Sequence, residues 1–139
     1  MKIALASIGF RNGDISYNLK KIKDIIGEYG ENVDLIVFGE AFLQGFDSLN
    51  WNYQHDMSIA VENDSEIIKE ISEKAKEYGV GVSFGYIEKY ENHIYSSQIT
   101  IDEFGRVKDN YRRVSTGWKD DTAGKEYKEG KESVVVIEG

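Results

Sequence analysis

The chain of 139 residues carries 17 basic and 25 acidic side chains, a net charge of −8, with 40% of its residues apolar and 30% charged. That balance describes a soluble globular chain long enough for one core, and it argues against binding to duplex nucleic acid or to an anionic membrane surface, both of which need basic residues. There is no cysteine, which excludes disulfides, cysteine zinc sites and thiol nucleophiles from within the chain.

The first apolar run is cut short by Arg11, Asn12 and Asp14, too early for a signal peptide. No run approaches the roughly 20 residues of a membrane span, so the expected compartment is the cytoplasm. Residues 2–9 read as a first strand, nearly continuous in apolar residues as in a strand covered on both faces. Turn chemistry at Arg11-Asn12-Gly13-Asp14 leads into a helix. Its face is made by Ile15, Leu19, Ile22, Ile25, Ile26 and Tyr29, with Asp14 or Ser16 as cap and Gly30 after its end.

Asp34-Leu35-Ile36-Val37-Phe38-Gly39-Glu40 is a short β-rich run ending in glycine and a carboxylate. It predicts a buried strand with Glu40 at its mouth, where open α/β sheets keep their chemistry. Residues 41–60 are aromatic and irregular, and read as a long loop whose use is binding or packing. A second helix starts at a cap among Asn63, Asp64 and Ser65, carries Ile67, Ile68, Ile71, Ala75 and Tyr78 on one face, and closes at Gly79. A third strand over 80–87 ends at Glu88. A fourth over 94–101, a hairpin turn at 102–105 and a fifth strand over 106–114 follow. Residues 115–132 read as a loop, and Ser133 to Ile137 as the start of a last strand.

Several motifs carry no chemistry. The glycines at 79, 81 and 85 lie in a strand after a helix instead of opening one, so they are not a dinucleotide fingerprint. His55 and His93 lack partners at ligand spacing, and Ser83 has no nucleophile-elbow frame. No metal and no cofactor is expected. What remains is a set of charges at strand ends, which adjacent parallel strands are expected to bring together: Glu40, Glu88, Arg112-Arg113 and, in the loop beyond, Lys119. A carboxylate beside a cation in a partly dry pocket can serve as general base and oxyanion stabiliser, and the same charges can equally form a structural ion-pair network.

These segments resemble the nitrilase, or carbon–nitrogen hydrolase, superfamily. Residues 1–6 are similar to its opening strand, and Asn18-Leu19 to the helix after it. The strand ending at Glu40 is similar to that of its catalytic glutamate, with Gly39 where the family has proline. Gly85-Tyr86-Ile87-Glu88 resembles the G-x-x-E of a supporting glutamate. Ile94-Tyr95-Ser96-Ser97 resembles Y-N-S, with Ser96 in the asparagine column. Tyr111-Arg112-Arg113 resembles the Y-R-K of the catalytic lysine, and Tyr127-Lys128-Glu129-Gly130 resembles F-x-P-G.

The resemblance implies an α/β fold, specifically half of an α-β-β-α sandwich: a mixed sheet with two helices on one face, residues 1–139 forming one incomplete domain. It implies hydrolysis of a small amide or nitrile through a thioester, with Glu40 as general base, Glu88 in support and a lysine for the oxyanion. Arg113 holds the lysine column, and Lys119, on a flexible stem six residues on, is the preferred replacement. The family cysteine should follow the strand after the one beginning at Ser133. The chain is therefore expected to be a fragment or a truncated relative, inactive alone, and partnered by a complementing C-terminal half or by further copies of itself. The alternative is a pseudoenzyme that binds an amide-like ligand or a partner chain.

Overall fold

The computed structural model describes residues 1–138. Five strands form one sheet in the order β1-β2-β3-β4-β5: β1 (Ile3–Ala6), β2 (Leu35–Phe38), β3 (Gly81–Tyr90), β4 (His93–Ile101) and β5 (Val107–Arg112). The first three are parallel, and β4 and β5 return antiparallel, giving the mixed sheet. The parallel pairs need crossovers, and these are α1 (Ile15–Tyr29) and, after a longer excursion, α3 (Glu66–Tyr78).

Both helices start on side-chain caps, Asp14 accepting from Tyr17 N–H and Ser65 from Ile68 N–H. Gly79 ends α3 in the left-handed conformation at φ 63°, which glycine adopts without a Cβ penalty. Ile22 and Ile26 of α1 and Ile68, Ile71 and Ala75 of α3 pack with Ile36, Phe38, Val82, Phe84, Tyr86, Ile99 and Ile101 in the main core. Two helices thus cover one sheet face.

The strand period of two sends the alternate residues to the other face. There β1 and β2 present Ile3, Leu5, Leu35 and Val37 in register, and Leu5 is 77% exposed. At the opposite end of this second face a smaller cluster forms from Ala41, Ala60, Ile87, Ile94 and Tyr127, with Leu49, Trp51, Met57 and Trp118 against it.

Three sequence expectations change. The 41–60 segment contains a helix, α2 (Tyr53–Ile59), started by Asn52 accepting from His55 N–H. Its seven residues show too little apolar period to announce it. Strand β3 runs on to Tyr90, so Glu88 lies within the strand instead of after it. It pairs in a hairpin whose turn, Glu91-Asn92, has φ of 48° and 65°, the signature of the tight two-residue turn that twists with the strands. The segment from Ser133 to Ile137 is not a strand. Gly130 N–H reaches the Arg113 carbonyl at 3.0 Å, and beyond it Val134 and Val136 face solvent. β-branched residues favour strand only where a ladder partner and a packing face receive them.

Candidate active site

Glu40 stands on an elbow made by its neighbours. Ala41 is left-handed at φ 53°, an uncommon state for a residue with a Cβ and one that clusters at functional sites. The elbow lies directly on β3. Gly85 N–H donates to the Gly39 carbonyl and Leu43 N–H to the Gly85 carbonyl, both at 3.1 Å. A Cβ at Gly85 would stand 2.7 Å from Glu40 Cα, so only glycine lets the two backbones touch.

The chain after Glu40 is held by buried amides. Gln44 donates to the carbonyls of Ile59 and Ile87, each at 3.0 Å, and accepts from Ile87 N–H at 2.8 Å. Asn18, on the buried stripe of α1, donates to the carbonyls of Arg11 and Leu43 and accepts from Arg11 N–H.

Glu40 meets Arg113, the residue just past β5, with Nη1 at 2.5 Å from Oε2. Ser96 Oγ donates to the same oxygen at 3.3 Å. The Glu40 and Arg113 side chains are 36% and 34% exposed, so the pair is open to a ligand. It forms the floor of a cavity of about 610 Å³, walled by Phe46, Leu49, Trp51, Ile87 and Trp118. The cavity is large enough for a small molecule.

Its far wall depends on a second carboxylate. Asp56, fully buried, accepts from Asn50 N–H at 3.1 Å, from Trp51 N–H at 3.0 Å and from the Tyr127 hydroxyl at 2.5 Å, and His55 Nδ1 lies 2.8 Å away. It ties the 48–57 segment to the 119–130 segment. Trp51 packs at a tilt against Trp118 (5.9 Å) and Tyr127 (5.2 Å) as a result. Burial, and then Asp56, push the Tyr127 phenol above its ordinary range, keeping it a donor.

Glu88 and Arg112 form a different pair on the helix-covered face. Arg112 donates from Nε at 2.8 Å and from Nη2 at 2.9 Å, Ser97 Oγ at 2.7 Å, and Asn110 and Asn63 at 3.0 Å each. Arg112 also lies over the rings of Tyr90 and Tyr95. Burial works to raise the Glu88 carboxyl; Arg112, Ser97 and Asn110 outweigh it and hold the group below the usual carboxylate range. Glu88 in turn raises the Arg112 guanidinium.

The strand-end charges therefore do not converge on one point. Glu40 and Arg113 meet on one face, Glu88 and Arg112 on the other. Lys119 joins neither: its Nζ pairs with Glu129 and lies 3.5 Å from the Tyr127 carbonyl. Sequence reasoning passed over Asp56, Gln44 and Tyr127 as structural anchors. Gln44 carried a signal, being a polar residue inside the apolar run 41–46. Asp56 carried none, because its partners come from turns and a distant loop.

Likeness to known proteins covers almost the whole chain. The family model described as carbon–nitrogen hydrolase matches residues 2–136. An (R)-stereoselective amidase of Pseudomonas sp. is 27% identical over 105 residues, which cover 76% of this chain and 37% of the amidase. A cyanide hydratase of Botryotinia fuckeliana is 29% identical over 111 residues, covering 73% of this chain and 30% of the hydratase. Among solved structures, an amidase from Nesterenkonia sp. superposes with a TM-score of 0.77 at 19% identity, over 95% of this chain and 49% of its own. A variant of that amidase has been solved in complex with acrylamide. The chain thus spans about a third of these sequence relatives and half of the structural one. With Glu40 on its elbow and a family match across the sheet that carries it, the chain belongs to the carbon–nitrogen hydrolase family.

Proposed function

We propose that this chain supplies the base and substrate-pocket half of a hydrolase acting on small amides or nitriles, and that it is inactive alone. The observation that carries the reading is the Glu40–Arg113 pair, joined by Ser96, on the floor of an open cavity. Such a pair has the two parts that acyl transfer from nitrogen requires: a carboxylate to take a proton and a fixed cation near developing negative charge. The amide complex of the Nesterenkonia relative supports the substrate class.

Attack on the carbonyl carbon needs a nucleophile, and the chain has no cysteine. In this reading a thiol from outside these residues enters the cavity and gives its proton to Glu40. It adds to the carbonyl or nitrile carbon, and the oxygen or nitrogen that gains charge is held by Arg113. From an amide the amine then leaves with a proton returned by Glu40; from a nitrile the thioimidate first takes up one water and then loses ammonia. In both cases a further water cleaves the thioester, releasing the acid and the thiol. Arg113 acts here through charge alone, since a guanidinium does not give up its proton. Glu88 stays out of the reaction and holds β5 through Arg112, so that Arg113, the next residue, projects to the opposite face. Lys119, paired with Glu129, serves the loop that carries Trp118.

The test compares ammonia release from short amides by two proteins. The 139-residue chain alone should show none above buffer. The chain joined to the cysteine-bearing C-terminal half of a carbon–nitrogen hydrolase should turn over. Robust turnover by the chain alone would remove the need for an outside thiol.

Arginine in the lysine column favours one other reading, a binding module that has lost catalysis. Its mark would be a joined protein that folds and binds amides with no release of ammonia, while Arg113→Lys restores release.

A further inference from the structure

We propose that the Glu40 cavity selects amides whose other end carries a positive charge, such as a terminal alkylammonium. This rests on the amide reading above and adds to it the chemistry of the group distal to the scissile bond.

The charge count of the lining comes first. Glu40, Asp47 and Arg113 are its three charged residues. Arg113 is spent on Glu40. Lys119, the cation nearest in the loop, is turned to Glu129 and the Tyr127 carbonyl. Asp47 makes no ion pair among the described residues, and its backbone N–H, not its carboxylate, makes the hydrogen bond that holds it, donating to Asn12 Oδ1 at 3.0 Å. The cavity is left with an uncompensated carboxylate at its rim. The chain as a whole adds a net −8, a field that draws cations and repels anions.

The aromatic wall points the same way. The chain has only two tryptophans, and both line this cavity, with Phe46 beside Asp47. Trp51 and Trp118 stand at 50° to each other, their centres 5.9 Å apart, and so form a corner rather than a flat stack. Indole rings attract ammonium groups through their quadrupole, most strongly where water is partly excluded. A rim carboxylate next to such a corner matches a cation better than a neutral alkyl group and opposes a carboxylate.

Because both tryptophans are in the wall, intrinsic fluorescence of the 139-residue chain reports this cavity directly, and calorimetry gives the affinity. Four probes separate the parts: ω-aminopentanamide, its neutral isostere hexanamide, the anionic glutaric acid monoamide, and pentylammonium, which has no amide. At low salt ω-aminopentanamide should bind about tenfold tighter than hexanamide, and the monoamide weakest. Asp47→Asn should bring the ratio to within about twofold while leaving hexanamide unchanged, and Asp47→Glu should keep most of the preference. Equal binding of ω-aminopentanamide and hexanamide, or a preference indifferent to Asp47→Asn, overturns the proposal and leaves the amide reading intact. Pentylammonium binding with hexanamide silent supports the cation site and removes the amide reading. No binding by any of the four overturns both.

Discussion

Two glutamate–arginine pairs sit on opposite faces of one sheet, built from adjacent residues, and they differ in almost everything else. Arg112 and Arg113 are neighbours, as are Ser96 and Ser97 on the next strand. The strand period sends one of each to either face. Ser97 and Arg112 meet Glu88; Ser96 and Arg113 meet Glu40. Glu88 is sealed in and receives hydrogen bonds from Arg112, Ser97, Asn63 and Asn110. Glu40 has two partners on one oxygen and keeps a third of its side chain open to a cavity. A saturated carboxylate has nothing left for a substrate. An under-coordinated one at a cavity floor does. The same residue types thus yield a brace on one face and a candidate reaction centre on the other.

The sharpest way to break the comparison is to remove each arginine. Arg112→Met leaves the Glu88 charge buried and short of its bidentate partner, and should cost about 3 kcal/mol or more. Arg113→Met removes one side of a partly exposed pair and should cost less than about 1 kcal/mol. Urea unfolding of the two variants checks both figures, and similar losses would erase the distinction.

The anchor of the cavity wall comes next. Asp56→Ala orphans the Tyr127 hydroxyl and two backbone N–H groups, at a cost of about 2 kcal/mol. It should also free Trp51 from Trp118, shifting tryptophan emission to longer wavelength in the folded state. Unchanged emission would mean that Asp56 does not set the wall.

Gly85→Ala presses a methyl onto the Glu40 elbow and should destabilise by about 1–3 kcal/mol. If Glu40 and Gly85 are as closely packed as described, the same variant should weaken amide binding, whereas Gly9→Ala, with open space around it, should not.

Acid supplies the smallest effect. The folded Glu88 carboxyl is held below its unfolded value, which is about 4.3. Its contribution is full above that pH and is lost as pH falls through the folded value. Wild type should therefore lose stability on acidification below about pH 4 more steeply than Glu88→Gln, as read by urea midpoints across that range. Parallel slopes would contradict the assignment of the brace to Glu88.

Much of this was legible in the residues. The five strands, both long helices and the hairpin turn at 102–105 follow from period, caps and turn residues. Glu40 was marked by the strand that ends before it, and Gly85 by its place three residues before Glu88. What could not be read was sidedness. Strand ends were expected to gather their charges, and only the register of β3, β4 and β5 decides that Arg112 and Arg113 part company. No local pattern links Lys119 to Glu129, its partner ten residues on. Only β-branched composition points to a last strand at 133–137, and the valines at 134 and 136 face solvent. Asp56 and Tyr127 lie 71 residues apart, and no local pattern links them.

The most direct measurement pairs Glu40→Gln with Glu88→Gln in the chain joined to a cysteine-bearing C-terminal half, recording kcat/KM for a short amide and the urea midpoint of each. Glu40→Gln should lose about 10²- to 10⁴-fold in kcat/KM with its midpoint unchanged. Glu88→Gln should lower the midpoint and keep most of the activity of whatever fraction is folded. Full activity in a folded Glu40→Gln protein would contradict the assignment of the base, and with it the division of the two pairs into centre and brace.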